Sequence, residues 1–98
     1  MRIEWTPRAH ASLNAIRAYI ARDSPQAAEA LRLLRETRRL EDFPLMGRVV
    51  PEFGQADVRE IIVGNYRVLY YVGAEHVRIL TVRHGAQRLR RADIAGRD

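Results

Sequence analysis

The side chains of this sequence best suited to chemistry are arginines, histidines and tyrosines, and Arg67 stands out first. It lies in the run REIIVGNYRVLYYV, residues 59–72, between Tyr66 and Val68, where a strand would favour an apolar side chain. A guanidinium stays charged at any physiological pH, and its planar fork suits bidentate pairing with carboxylate or phosphate. Arg67 is therefore either one half of a cross-strand pair with Glu60 or part of a recognition surface. Arg83 and His84 are sequence neighbours, and His84 is either a solvated histidine at a strand end or a base near its working pH. Tyr66, Tyr70 and Tyr71 read mainly as strand formers, with one of them a candidate stacking platform. His10 falls on a polar helix face and His76 beside a turn, and the three histidines lack metal-ligand spacing. Without cysteine, a ligand set or a phosphate-cradling glycine motif, neither metal nor other cofactor is expected, and no small-molecule substrate.

Composition bounds these readings. The 98 residues suit one domain, 1–98, and 47% hydrophobic with 30% charged residues suits a globule rather than a disordered chain. No apolar run approaches the roughly 20 residues of a membrane span, and MRIEWTPRAH lacks a signal peptide's apolar stretch, so a cytoplasmic protein is expected. The formal charge is +5 and the isoelectric point near 10.7, which points to polyanions or acidic proteins as partners. All 17 basic residues are arginine, so lysine chemistry is excluded.

These groups must be positioned by elements whose periods change along the chain. Trp5-Thr6-Pro7 reads as a short strand entering a helix, with Thr6 as N-cap and Pro7 in the first turn. Ala9, Leu13, Ile16 and Ile20 then share one helical face, and His10, Asn14 and Arg17 another. Ser24 and Pro25 repeat the signal and open a second helix reaching about Leu40, with Ala27, Leu31, Leu33 and Leu34 as its apolar side. Residues 43–57, FPLMGRVVPEFGQAD, read as an ordered connector. Strands are expected over 58–63, 66–72 and 76–84, with Gly64-Asn65 as a tight turn and Gly73-Ala74-Glu75 as a longer one. From about residue 86 a basic tail follows, either a short helix or disordered. The fold class is thus α+β: a short N-terminal strand and an antiparallel helical hairpin packed on one face of a small twisted antiparallel sheet.

A two-residue turn at Gly64-Asn65 sets the hairpin register. Val63 then opposes Tyr66, Ile61 opposes Val68 and Arg59 opposes Tyr70 on one face. Ile62 with Arg67, Glu60 with Leu69 and Val58 with Tyr71 occupy the other. The first face is expected to meet the helices. The second would show Arg67, Glu60 and Tyr71 to solvent as a charged, partly aromatic surface. Arg32, Arg35, Arg38 and Arg39 on the second helix, with Arg88, Arg90 and Arg91 in the tail, form another basic surface. It is fit for an acidic protein, for nucleic acid, or for nothing more than a solvated face compensated by Glu29 and Glu36.

Taken together, WTPRAHASLNAIRAYIARDSPQAAEAL, FPLMGR, VREIIVGNYRVLYYV and VRILTVRHGAQR resemble, in this order and over about residues 3–88, the ParE/RelE toxin superfamily of bacterial type II toxin–antitoxin systems. The resemblance implies a growth-inhibiting toxin neutralised by a cognate antitoxin. The apolar side chains themselves suggest a groove for the antitoxin between the helical hairpin and the sheet edge, with Leu13, Ile16, Ile20 and Leu31 as expected anchors of a partner helix. RelE-like members resemble ribosome-dependent messenger endoribonucleases, and onto their pattern Arg67, Arg83 and His84 map as candidate catalytic residues. The chain departs from that pattern by having no lysine and no aromatic residue after Tyr71 other than histidine. In a straight strand, moreover, Arg83 and His84 point to opposite faces. ParE-like members act on DNA gyrase, and TVRHGAQR resembles that branch more closely. On that reading Arg59, Arg67, Tyr71, Arg83 and His84 bind the target, with the ribosome as the alternative target.

Overall fold

The computed structural model describes residues 1–20 and 27–97. β1 (Arg2–Trp5) leads into α1 (Pro7–Ile20), and α2 (Ala27–Arg38) ends in a 3-10 turn, Arg39–Glu41. β2 (Arg48–Val49), β3 (Val58–Val63), β4 (Tyr66–Val72) and β5 (His76–His84) follow, then a second 3-10 turn, Arg91–Ile94. The three long strands have the bounds expected from the sequence. The cap and opening residues expected at Ser24 and Pro25 lie outside the described residues.

The start of α1 is fixed locally and tied to the sheet. The Ala9 amide donates to Thr6 Oγ1 at 3.1 Å, the N-cap bond, while the Thr6 hydroxyl donates onward to the Leu80 carbonyl at 3.0 Å. Gly64 takes φ +57° and Asn65 does not take positive φ, the turn pattern with glycine first that suits a twisted hairpin. The resulting β3–β4 register is the one derived above, pair by pair.

The sheet runs β1-β5-β4-β3-β2. It is mixed rather than purely antiparallel, because β1 lies parallel to β5, Arg2 opposite His76 and Trp5 opposite Ile79. Parallel neighbours need a long crossover, and here the whole helical hairpin and the β3–β4 hairpin intervene. Between β4 and β5 the register shifts at Leu69 and Tyr70, which pair with Thr81 and Ile79 and leave Leu80 of β5 as an extra residue.

Two cores result, one on each face. Under the helices, Ala9, Leu33 and Leu40 pack with Ile61, Val63, Val68, Tyr70, Val77, Ile79 and Val82. On the opposite face Val58, Leu69 and Leu80 are covered by Val50 and Phe53 from the connector and by Leu89 and Ile94 from the tail. The second face is therefore not the open surface expected. The tail from 86 onward is held down by those apolar residues. It is also held by Arg78, which donates to the carbonyls of Gly96 and Arg97 at 3.4 and 3.3 Å. On α2 the buried residues are Leu33 and Thr37, while Leu31, expected on the apolar side, is 58% exposed.

Candidate functional site

Covering the second face changes the meaning of Arg67. Its side chain is 10% exposed and meets two carboxylates. Nε and Nη2 donate to Glu60 at 2.5 and 3.0 Å, and Nη1 and Nη2 donate to Glu52 at 2.8 and 3.0 Å. Glu60, fully buried, also accepts from Arg48 Nε at 2.8 Å. Two cations and two anions thus close a neutral quartet across β2, β3, β4 and the connector. The hydrogen bonds from Arg67 hold the Glu52 carboxyl below its ordinary 4.5, although partial burial opposes them. The same bonds, those to Glu52 first, hold the Arg67 guanidinium more firmly protonated than usual.

Of the other residues expected to bind a target, His84 shares a cavity of about 390 Å³ with Arg67 beside the Gly64-Asn65 turn, while Arg59, Tyr71 and Arg83 do not line it. Arg59 donates to the main-chain carbonyls of Ala56 at 3.0 Å and Gly47 at 2.9 Å, holding both ends of the connector. Tyr71 is half-buried against the second core. Arg83 turns toward the tail, reaching the Arg88 carbonyl at 3.4 Å and Asp93 at 3.9 Å. His84 is exposed, and its ring meets Tyr66 edge-on, centroids 5.7 Å apart. Arg83 and His84 nevertheless come to one cavity, although a straight strand would send them to opposite faces. Tyr66 and His84 belong to the end of the sheet beside α1, where Ser12, Ala15, Ile16, Arg83 and Gln87 help to line a shallow cavity of about 320 Å³. The sequence reads Tyr66 mainly as a strand former, one of three candidates for a stacking platform. Its place opposite His84 depends on the β4–β5 register, which the bulge alters.

A larger groove, about 490 Å³, lies between α2 and the β1 edge of the sheet. Ile3, Trp5, Leu31 and Leu34 form its apolar floor, and Arg35, Arg38 and Glu41 its polar rim. Leu31 alone of the expected antitoxin anchors lines it. Leu13 is 5% exposed and belongs to the interior, Ile16 is half-buried against the core, and the Ile20 side chain lies outside what is described. Periodicity places Leu34 on the apolar side of the second helix and Trp5 in the first strand, but not the two in one groove, because β1 and α2 meet only in three dimensions. Tyr70, fully buried, orders the connector: its oxygen accepts from the Gly47 amide at 2.9 Å, and burial pushes its phenol pKa up. Among the described residues no cluster of three or more His, Asp or Glu could hold a metal ion.

The fold is thus two helices on one face of an open five-stranded mixed sheet. The fold is shared with a chain solved as "Chromosomal ParDE TA system from P. aeruginosa", at a TM-score of 0.68 and 21% identity over 86% of this chain and 95% of that one. The sequence model of the family described as the ParE toxin of the type II toxin–antitoxin system, parDE, matches residues 3–89, and the chain belongs to this family. It is also 41% identical over 88 residues to "Toxin RelE2" of Caulobacter vibrioides, covering 87% of this chain and 96% of that one. The protein is thus a type II toxin, a class that implies a cognate antitoxin as partner. Among the described residues no helix is long and apolar enough to cross a membrane.

Proposed function

We propose that this toxin halts growth in the bacterial cytoplasm by binding DNA gyrase and blocking replication, and that it does not cleave RNA. The observation that carries this reading is the engagement of Arg67. Cleavage at a ribose phosphate needs a cation free to stabilise the charge developing on phosphorus. Both edges of the Arg67 guanidinium already serve Glu52 and Glu60. The chain has no lysine to replace it. Arg83 shares a cavity with His84, but its guanidinium is engaged by the tail at the Arg88 carbonyl and Asp93. A binding mechanism requires none of these groups to be free, only a surface, and the Tyr66–His84 end of the sheet offers one.

The antitoxin is assigned to the groove between α2 and β1. Ile3, Trp5, Leu31 and Leu34 would receive the apolar side of a partner helix, and Arg35 and Arg38 suit acidic residues flanking it. Leu31 stays in the expected anchor set, joined by Trp5 and Leu34. Leu13 leaves it because it is interior.

The name of the relative, "Toxin RelE2", favours a second reading, a ribosome-dependent endoribonuclease using Arg67, Arg83 and His84. Pulse-labelling of DNA and protein synthesis within minutes of inducing the chain separates the two. DNA synthesis is expected to fall first, and purified toxin is expected to inhibit gyrase supercoiling. Translation falling first, with cut messenger, would overturn the gyrase reading.

A further inference from the structure

The tail carries a feature that neither target reading uses. Asp93 is 3% exposed, and its carboxylate accepts from the Arg90 amide at 2.7 Å and from Arg8 Nη1 at 3.4 Å, with Arg83 Nη1 at 3.9 Å. Leu89 and Ile94 are buried in the second core. These three inward residues hold the segment down, so the residues between them face out. Arg88 and Arg90, both exposed, flank buried Leu89, Arg90 in extended backbone, and exposed Arg91 opens the 3-10 turn. Among the described residues no carboxylate lies within ion-pair distance of Arg88, Arg90 or Arg91. Arg8 and Arg83 share Asp93. Glu52, at the margin of the neighbouring cavity, is taken up by Arg67.

We infer that this anchored arginine row is a docking surface for the phosphate backbone of duplex DNA. Three exposed tail arginines, added to the two that share the buried Asp93, make a local field that favours polyanions. An acidic protein segment would also meet that field. Tight protein interfaces, however, centre on desolvated apolar or aromatic anchors, and the apolar residues of this segment are turned inward. Affinity for nucleic acid needs only the phosphate contacts, for which a guanidinium fork is well shaped. The arginines of α2 and of the turn after it differ: Arg39 is paired with Glu36 at 2.9 Å, and Arg35 and Arg38 rim an apolar groove suited to a protein. This inference does not depend on gyrase being the target.

The test is fluorescence anisotropy of a random-sequence duplex titrated with the full chain, between about 50 and 200 mM salt. Arg88→Gln/Arg90→Gln/Arg91→Gln should make the slope of log K against log salt shallower by about three and weaken binding more than tenfold at the low-salt end. Arg32→Gln/Arg35→Gln/Arg38→Gln, with the same loss of charge, should change the slope by less than about one. The single variants Arg88→Gln and Arg91→Gln should each remove about one from the slope, and they carry the test if the triple variant loses its fold on circular dichroism. Equal losses in the two triple variants would overturn the proposal in favour of diffuse charge. No measurable duplex binding at low salt would also overturn it. So would displacement by poly-glutamate as effective as by duplex of equal charge, which would make an acidic polypeptide the occupant.

Discussion

Replacing Arg67 with Met would remove the cation at the centre of the quartet while keeping a long stem in the second core. Glu60, with its side chain fully buried, would retain only Arg48, whose side chain is 60% exposed. Glu52 is 39% exposed and can turn to water. The substitution therefore leaves one interior carboxylate poorly compensated. Removing one member of a buried pair costs about 3–5 kcal/mol, and the remaining Arg48 contact puts the expected loss at the lower end, about 3 kcal/mol. Unfolding entropy near 2 cal/mol/K per residue makes each kcal/mol worth about 5 °C in a chain of this length, so Arg67→Met should melt about 15 °C below the parent. The double variant Arg67→Met/Glu60→Leu deletes the buried charge as well and should return to within about 1 kcal/mol, because apolar replacements of buried ion pairs are close to neutral. Thermal and urea denaturation followed by circular dichroism measure both. A single variant melting within about 3 °C of the parent would refute the reasoning, as would a double variant less stable than the single. Either result would free Arg67 for a role at the target.

Other consequences are equally direct. Leu31→Asp lies on an exposed position and should leave the melting temperature nearly unchanged while weakening antitoxin binding at least tenfold by calorimetry; Leu13→Asp, placed in the interior, should lose the fold instead. Glu52 has a folded pKa below its ordinary 4.5, so its contribution is complete above that value and disappears as pH falls through the lower one. Urea midpoints of the parent and Glu52→Gln should accordingly converge as pH drops from about 5 to about 3, and a widening gap would contradict the pairing. Gly47→Ala would place a Cβ 2.5 Å from the Tyr70 hydroxyl and the Glu60 carbonyl, both in the interior, and should lower stability by about 1–3 kcal/mol in the same denaturation assay.

Much of this architecture follows from interactions between near neighbours. Thr6 caps α1 within three residues, Gly64 supplies the positive φ of its own turn, and the alternation of 58–63 and 66–72 then sets which side chains share a face. Those signals reach a few residues along the chain, and the sequence alone was sufficient to read them. The same alternation left open what covers each face. Val50 and Phe53 in the connector and Leu89 and Ile94 in the tail are too sparse to make a period. They cover the second face only because the chain returns there. That return buries Arg67 and brings Glu52, 15 residues away, onto its guanidinium. The extra residue Leu80 joins that second core for the same non-local reason. Burial decides whether an arginine is a surface cation or half of an interior pair, and burial here is set by segments far apart in sequence. The elements, the hairpin register and the family resemblance were therefore legible from the amino-acid order. Which arginines remain available to a partner was decided by the tertiary structure.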